Sequence, residues 1–259
     1  MTKNQAFAIL QQAGGIRAAR IITDSAKKLS KIKVLYMAYL LRRGVPVAKI
    51  IHCKWFYGLP FYTNKHTLDP RPDTETLVSA VISDCASDSA RQILDIGTGT
   101  GCIICSLIKN IHNSSGVAID ISRRALRVAR RNIRALNLCQ SIQLRRADFK
   151  NPRIFQRKFD IIVSNPPYIS HDDTRVNTGA MHDPHIALYA NDNGLGAYRS
   201  IARNAVNWIK PNGKIYLEIG IDQGPAVHRI FQDNGWAYIT SVPDLGGIER
   251  VLIFRYGQK

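Results

Sequence analysis

The chain has 259 residues, is 45% hydrophobic and carries a formal net charge of +17. That length suits one ordinary domain with a small appendage and is enough to bury a sizeable core; the composition is that of a soluble globular protein, and no apolar run reaches the roughly 18 residues that span a bilayer. The five cysteines (Cys53, Cys85, Cys102, Cys105, Cys139) are scattered and odd in number, which argues against a disulfide framework and fits free thiols in a reducing compartment.

Residues 1–15 contain no signal-type apolar block, so the expected location is cytoplasmic; a mitochondrial presequence is the alternative that a basic, acid-poor start allows. Residues 1–50 show apolar positions at helical spacing: Phe7 and Leu10, then Ile16, Ala19 and Ile22, then Val34, Leu35, Ala38 and Leu41. Gly14-Gly15 and Gly44 interrupt them. A small helical domain over 1–50 is expected. Residues 51–75 read as an irregular, aromatic-rich link with Trp55, Phe56, Tyr57, Phe61 and Tyr62, closing on Pro70 and Pro72.

From 76 to 259 the pattern alternates between strand and helix. Strands are expected at 93–96, 117–121, 142–145, 159–164, 213–219, 236–242 and 250–254, with helices at 101–110, 122–136, 194–209 and 222–234. Strands separated by helices imply right-handed crossovers and a parallel sheet. Only Pro243-Asp244-Leu245-Gly246-Gly247 separates the last two strands, so they should pair as a hairpin and the last should run antiparallel. The expected fold is therefore α/β, a Rossmann-like seven-stranded sheet of the class I methyltransferase type.

The charge is uneven. Residues 1–60 carry Lys3, Arg17, Arg20, Lys27, Lys28, Lys31, Lys33, Arg42, Arg43, Lys49 and Lys54 against Asp24 alone. Arg123, Arg124, Arg127, Arg130, Arg131 and Arg134 form a second concentration, mostly along one side of a helix. Such a surface steers toward nucleic acid, a ribosome or an acidic protein; a merely solvated helix face has the same composition.

Two loops carry chemistry. The strand at 93–96 runs into Asp95-Ile96-Gly97-Thr98-Gly99-Thr100-Gly101, where glycines permit a tight turn and close backbone approach at a helix N-terminus. The dinucleotide fingerprint G-x-G-x-x-G would place glycine at 102, where this chain has Cys102. Asp120 ends the next strand, where a carboxylate can accept both ribose hydroxyls. Asp148-Phe149 ends the third, with Asp148 able to accept from an adenine amino group and Phe149 able to pack on the ring. Acids at the ends of three successive strands point to S-adenosylmethionine (SAM).

The strand at 159–164 leads into Asn165-Pro166-Pro167-Tyr168. An amide or aromatic amine nitrogen is a poor nucleophile because its lone pair is delocalised. Two acceptors for its two N–H bonds would turn that lone pair toward the methyl group, and orientation can supply much of the rate. The Asn165 side-chain oxygen and the Pro166 carbonyl are the candidate acceptors. The two prolines stiffen the loop, and Tyr168 can stack on a planar substrate group. Cys102-x-x-Cys105 reads as core, not half a metal site, and the seven histidines, His182 and His185 included, form no ligand pattern; no metal is expected.

Phe56-Tyr57-Gly58-Leu59-Pro60-Phe61, Leu68-Asp69-Pro70-Arg71-Pro72-Asp73-Thr74-Glu75, Arg42 to Ile51 and Ile248-Glu249-Arg250-Val251 together resemble the HemK/PrmC family of release-factor glutamine N(5)-methyltransferases. The similarity runs from about residue 40 to the C-terminus. It implies SAM as cofactor and, as substrate, the glutamine of a Gly-Gly-Gln loop in class I peptide release factors. Carried over by position, it implies cofactor contacts at Gly97 to Gly101, Asp120, Phe149 and Asn165. It implies a glutamine clamp from Asn165 to Tyr168, with Pro167 included. Arg71, Thr74 and Glu75 would close one side of the cleft. The chain departs from the family pattern in a shorter helical domain, in His52 and Trp55, and in Asp183-Pro184 where Glu-Pro is usual. Other readings are a ribosomal-protein glutamine methyltransferase, an adenine-N6 methyltransferase on nucleic acid, and a non-catalytic RNA- or ribosome-binding module. A monomer is expected.

Overall fold

The computed structural model describes the chain apart from residues 27, 86–89, 157, 174–179 and 258–259, so Lys27 of the basic set lies outside the described residues. Helix α1 (Lys3–Ser25) starts with a capping box: the Thr2 hydroxyl accepts from the Gln5 amide while the Gln5 side chain accepts from the Thr2 amide. The helical path breaks at Gly15, with φ 83° and ψ 169°. Its neighbour Gly14 has another role, since a Cβ there would stand 2.9 Å from Leu41 Cδ1; helix α2 (Lys31–Arg42) lies directly on it. With the short α3 (Val47–Ile51), these helices enclose Ala6, Leu10, Ala19, Ile22, Val34, Met37, Ala38 and Ile50. Ile16 and Leu35, expected on the apolar face, are exposed instead. Leu35 lies on an outward stripe with Ile32, Tyr36 and Tyr39, at i, i+3, i+4 and i+7 of one helix.

The segment read as an irregular link is more ordered than its composition suggests. Strands β1 (Lys54–Phe56) and β2 (Leu59–Phe61) pair antiparallel. Their two-residue turn places both Tyr57 and Gly58 at positive φ, 48° and 71°, the geometry that follows the twist of a hairpin. Phe56 and Phe61 are buried by it. Helix α4 (Thr74–Asp84), given no element in the sequence reading, begins inside that link and buries Leu77, Val78 and Val81.

The main sheet then forms: β3 (Gln92–Ile96), α5 (Cys102–Asn110), β4 (Ser115–Asp120), α6 (Arg123–Ala135), β5 (Ile142–Arg146), β6 (Phe159–Ser164), α7 (His185–Leu188), α8 (Gly196–Ala205), β7 (Ile209–Glu218), α9 (Gly224–Asp233), β8 (Trp236–Pro243) and β9 (Glu249–Tyr256). The strand order is β5-β4-β3-β6-β7-β9-β8. Strands β3 to β7 pair parallel, and β9 runs antiparallel between β7 and β8, as the closing hairpin implied. One face packs on α4, α5 and α6, the other on α8 and α9. Cys102 and Cys105 lie in the first of these cores. The helix expected to reach 209 stops at Ala205, because the Trp208 carbonyl accepts from the Phe159 amide and Ile209 pairs with Phe159 across the sheet. Among the described residues no helix is long and apolar enough to cross a membrane.

One buried side chain ties the link to the sheet domain. Asn132 on α6 accepts from the Tyr62 amide (2.7 Å) and donates to the carbonyls of Tyr62 (3.0 Å) and Thr100 (2.9 Å). Asn132→Ala leaves these backbone groups without partners and should destabilise the chain by about 2–4 kcal/mol in urea unfolding. Arg134→Ala, on the exposed side of the same helix, should stay within about 0.5 kcal/mol.

Candidate active site

Strands β3 and β6 are neighbours, with Ile96 opposite Ser164, and the Ser164 hydroxyl donates to the Ile96 carbonyl at 2.9 Å. Chain order reverses between them, since β4 and β5 extend from β3 on one side and β6 and β7 follow on the other. The glycine loop and Asn165 therefore leave the sheet together at its switch point, where open α/β sheets bind ligands.

A cavity of about 430 Å³ opens there, bordered by Gly97, Gly99, Asp120, Asp148, Phe149 and Asn165. Gly97 and Gly99 have φ of 74° and 54° and present bare backbone to it. Gly101, at φ 80°, serves packing: a Cβ there would stand 3.4 Å from Ala129 of α6. Asp120 Oδ2 accepts from the Gly99 amide (3.0 Å) and Oδ1 from the Ser122 amide (2.8 Å). Each oxygen keeps a lone pair for a ligand hydroxyl, and burial raises the Asp120 pKa. Asp148 Oδ1 accepts from the Lys150 amide at 2.9 Å, which closes the turn after β5.

Other members of the sequence-derived set stand behind this wall. Asp95 is wholly buried; its Oδ2 accepts from the Thr98 hydroxyl at 2.5 Å while Oδ1 has no hydrogen-bond partner among the described residues. Burial pushes Asp95 up to about 7. Thr98 and Thr100 are also buried.

A second cavity of about 380 Å³ is bordered by Arg71, Asn165, Tyr168, Gln223 and Arg250. Asn165 borders both cavities; Pro167 faces the first and Pro166 is buried between. The loop is held from several sides. The Asn165 amide nitrogen donates to the Thr74 hydroxyl at 3.1 Å, and Gln223 donates to the Tyr168 carbonyl at 2.9 Å. Gly194 passes so close that a Cβ would stand 2.2 Å from that carbonyl. Glu75 accepts from the Tyr57 amide at 2.8 Å. It braces the β1–β2 hairpin and borders neither cavity.

Four contributors were missed in the sequence: Gln223, Arg250, Glu218 and Lys49. Lys49 on α3 is 6% exposed, donates to the carbonyls of Asn64 (3.0 Å) and Thr67 (2.9 Å), and pairs with Asp69 (3.1 Å) and Asp183 (2.7 Å). Asp183 also pairs with Arg71 at 2.7 Å. A lysine inside a basic helical stretch gives no local sign that it is buried. Asp183, shorter than the usual glutamate, still meets both cations. All six α6 arginines are exposed, and Arg131 lies 3.6 Å over the Tyr62 ring.

The switch-point cavity, the bare glycine backbone and the Asp120 carboxylate define a class I SAM-dependent methyltransferase fold, and these residues fit a nucleoside with a charged tail. A family described as the methyltransferase small domain matches residues 68–183. The chain is 40% identical over 267 residues to a bifunctional methyltransferase of Rickettsia felis, covering 90% of this chain and 50% of that one. It is 39% identical over 221 residues to a release factor glutamine methyltransferase of Agrobacterium fabrum, covering 82% of this chain and 75% of that one. The solved structure of a methyltransferase from Pyrococcus furiosus shares the fold, at a TM-score of 0.57 and 18% identity over 88% of this chain and 98% of that one. The chain belongs to the release factor glutamine methyltransferase family. It spans about half the length of the Rickettsia relatives it matches.

Asp95 generates a pH dependence. An acid whose folded pKa is raised binds its proton more tightly folded than unfolded, so stability falls as pH rises from the unfolded value near 4 through the folded value. With Asp95 at about 7, stability without ligand should decline between about pH 4 and 7. Asp95→Asn should make that decline shallower, as thermal unfolding across the range would register.

Proposed function

We propose that this chain transfers the methyl group of SAM to the side-chain amide nitrogen of the glutamine in the Gly-Gly-Gln loop of class I peptide release factors. The carrying observation is that Asn165 borders both cavities, so one side chain can reach a methyl donor and an acceptor in separate compartments. SAM, when bound, supplies an electrophilic methyl group. Gly97 and Gly99 let it approach the backbone, Asp120 accepts its ribose hydroxyls, and Asp148 and Phe149 border its adenine. The Asn165 side-chain oxygen and the Pro166 carbonyl accept the two amide N–H bonds of the glutamine. That fixes the nitrogen in line with the methyl, and Tyr168 covers the amide plane. Orientation is the principal contribution of these residues; the amide proton becomes acidic as methylation proceeds and leaves to solvent.

Residues 1–50 act as the docking domain, 51–75 as the link, and 76–259 as the catalytic domain, in a cytoplasmic monomer. Support for docking comes from the exposed stripe of Ile32, Leu35, Tyr36 and Tyr39, set among Lys31, Lys33, Arg42 and Arg43, which suits an acidic protein surface with an apolar anchor.

The test is transfer from labelled SAM to a purified release factor, beside a factor whose Gly-Gly-Gln glutamine is replaced. Label on the first alone is expected; label on neither, with SAM bound, would turn the reading to ribosomal proteins or nucleic acid. Asn165→Ala should abolish transfer while SAM affinity changes only a few-fold, and near-normal turnover would remove its clamp role. Asp120→Ala should weaken SAM binding by about 1–3 kcal/mol in calorimetry, as for a lost charge-assisted hydrogen bond.

A further inference from the structure

We propose that helix α6 and the link beside it form a docking surface for single-stranded RNA, separate from the acceptor cavity. The surface centres on a notch of about 240 Å³, bordered by Tyr62, Asn64 and His66 of the link and by Arg124, Arg127 and Val128 of α6. Among the described residues no carboxylate borders it. Arg124, Arg127, Arg131 and Arg134 follow one another at i, i+3, i+7 and i+10, a stripe of about 15 Å along the helix. All six α6 arginines are exposed, and none takes part in an ion pair among the described residues.

A merely solvated helix face mixes charges of both signs, whereas α6 contains no acid. Ser122 caps its start, accepting from the Ala125 amide at 3.2 Å. Arg123 and Arg124 follow at once, at the end where the helix dipole disfavours cations. Arg127 stands three or four residues from Arg123, Arg124, Arg130 and Arg131, so like charges repel along the stripe. The free helix works against its own stability in a pattern that a row of phosphates relieves, with counterion release favouring the complex. Every basic residue of α6 is an arginine, and the planar guanidinium matches phosphate oxygens in pairs.

The ring beside the notch separates RNA from an acidic protein. The Arg131 guanidinium lies 3.6 Å over the Tyr62 ring, and Tyr62 stacks on His52 at 5.4 Å. Buried side chains hold the wall: Asn132 binds both the amide and the carbonyl of Tyr62, and Lys49 donates to the Asn64 carbonyl. The Asn64 side chain accepts from the His66 amide at 2.9 Å, which fixes the turn. Arg131 is exposed, so the outer face of its guanidinium is open to an unstacked base, beside a phosphate held by Arg124 and Arg127. Carboxylates of a protein surface would answer the charges alone, whereas RNA loops present unstacked bases to aromatic rings and arginine planes. The notch shares His66 with the first cavity and no residue with the acceptor cavity. RNA seated here therefore tethers the chain and is not its methyl acceptor.

The experiment measures binding of a labelled single-stranded RNA of about 12 nucleotides to the full chain by fluorescence anisotropy, from about 50 to 200 mM salt. Arg124→Gln/Arg127→Gln should weaken binding about tenfold or more and lower the slope of log Kd against log salt by about 1.4, as for two phosphates of a single strand. Lys31→Gln/Lys33→Gln removes the same charge from α2 without removing a phosphate contact, and should stay within about twofold. Arg131→Lys keeps the charge and loses the plane; it should weaken binding about fivefold or more with the salt slope unchanged. SAM affinity should be unchanged in every variant, the sign that each is folded. The proposal is overturned by absence of RNA binding in the wild type, by equal weakening in the α2 control, or by methyl transfer to the RNA itself. A polyglutamate peptide, or a duplex of the same RNA, binding as tightly as the single strand overturns it as well. The binding readout needs no methyl acceptor, so its failure and that of the glutamine reading are separable.

Discussion

The lateral pairing of β3 with β6 is the constraint on which the rest of the site depends. Their parallel register sets Ile96 against Ser164, so the glycine loop and Asn-Pro-Pro-Tyr loop depart from adjacent strand ends although about seventy residues separate them in the chain. The long crossover through β4, α6 and β5 is what a parallel connection requires, and it carries Asp120 and Asp148 to the same edge. Gly97, Gly99, Asp120, Asp148, Phe149 and Asn165, which border the first cavity, inherit their places from this arrangement. If the register slipped by one residue, the side chains of the slipping strand would turn to the other face of the sheet.

A second layer holds the loops, and it is polar and buried. Lys49, Asp69 and Asp183 form an ion cluster between α3, the link and the segment before α7. Clusters of this kind are poor evidence of net stability, because desolvation offsets much of their attraction, whereas losing one partner is severe. Their effect here is geometric: they fix how the helical segment sits against the cleft. Asn132 does the same for the link, and Gln223 with Gly194 does it for Tyr168. Asp95 Oδ1, behind the glycine loop, and Glu218 Oε2, near Tyr168, have no hydrogen-bond partner among the described residues.

The legible parts of the sequence were those governed by local rules. Apolar runs ending in glycine or Asn-Pro-Pro marked β3 and β6, and the lack of a helix between residues 243 and 247 marked the antiparallel closure. Asp120 and Asn165 were legible because a strand end limits where a side chain can point. The β1–β2 hairpin was hidden because its turn uses Tyr57 at positive φ, where asparagine or aspartate would have signalled it. Helix α4 was hidden by the prolines before it. Glu75 lay in the right segment but its carboxylate is bound to the Tyr57 amide, and Lys49, Glu218 and Gln223 act only through contacts distant in sequence.

Asn165 borders both cavities and is proposed as the shared wall between a donor and an acceptor compartment. A crystal structure of the chain with S-adenosylhomocysteine and a Gly-Gly-Gln peptide tests it most directly. The nucleoside is expected between Asp120 and Phe149, its sulfur facing Asn165, with the glutamine amide entering from the side of Arg71 and Tyr168. A nucleoside bound elsewhere, or a peptide that leaves Asn165 without contact, would contradict it.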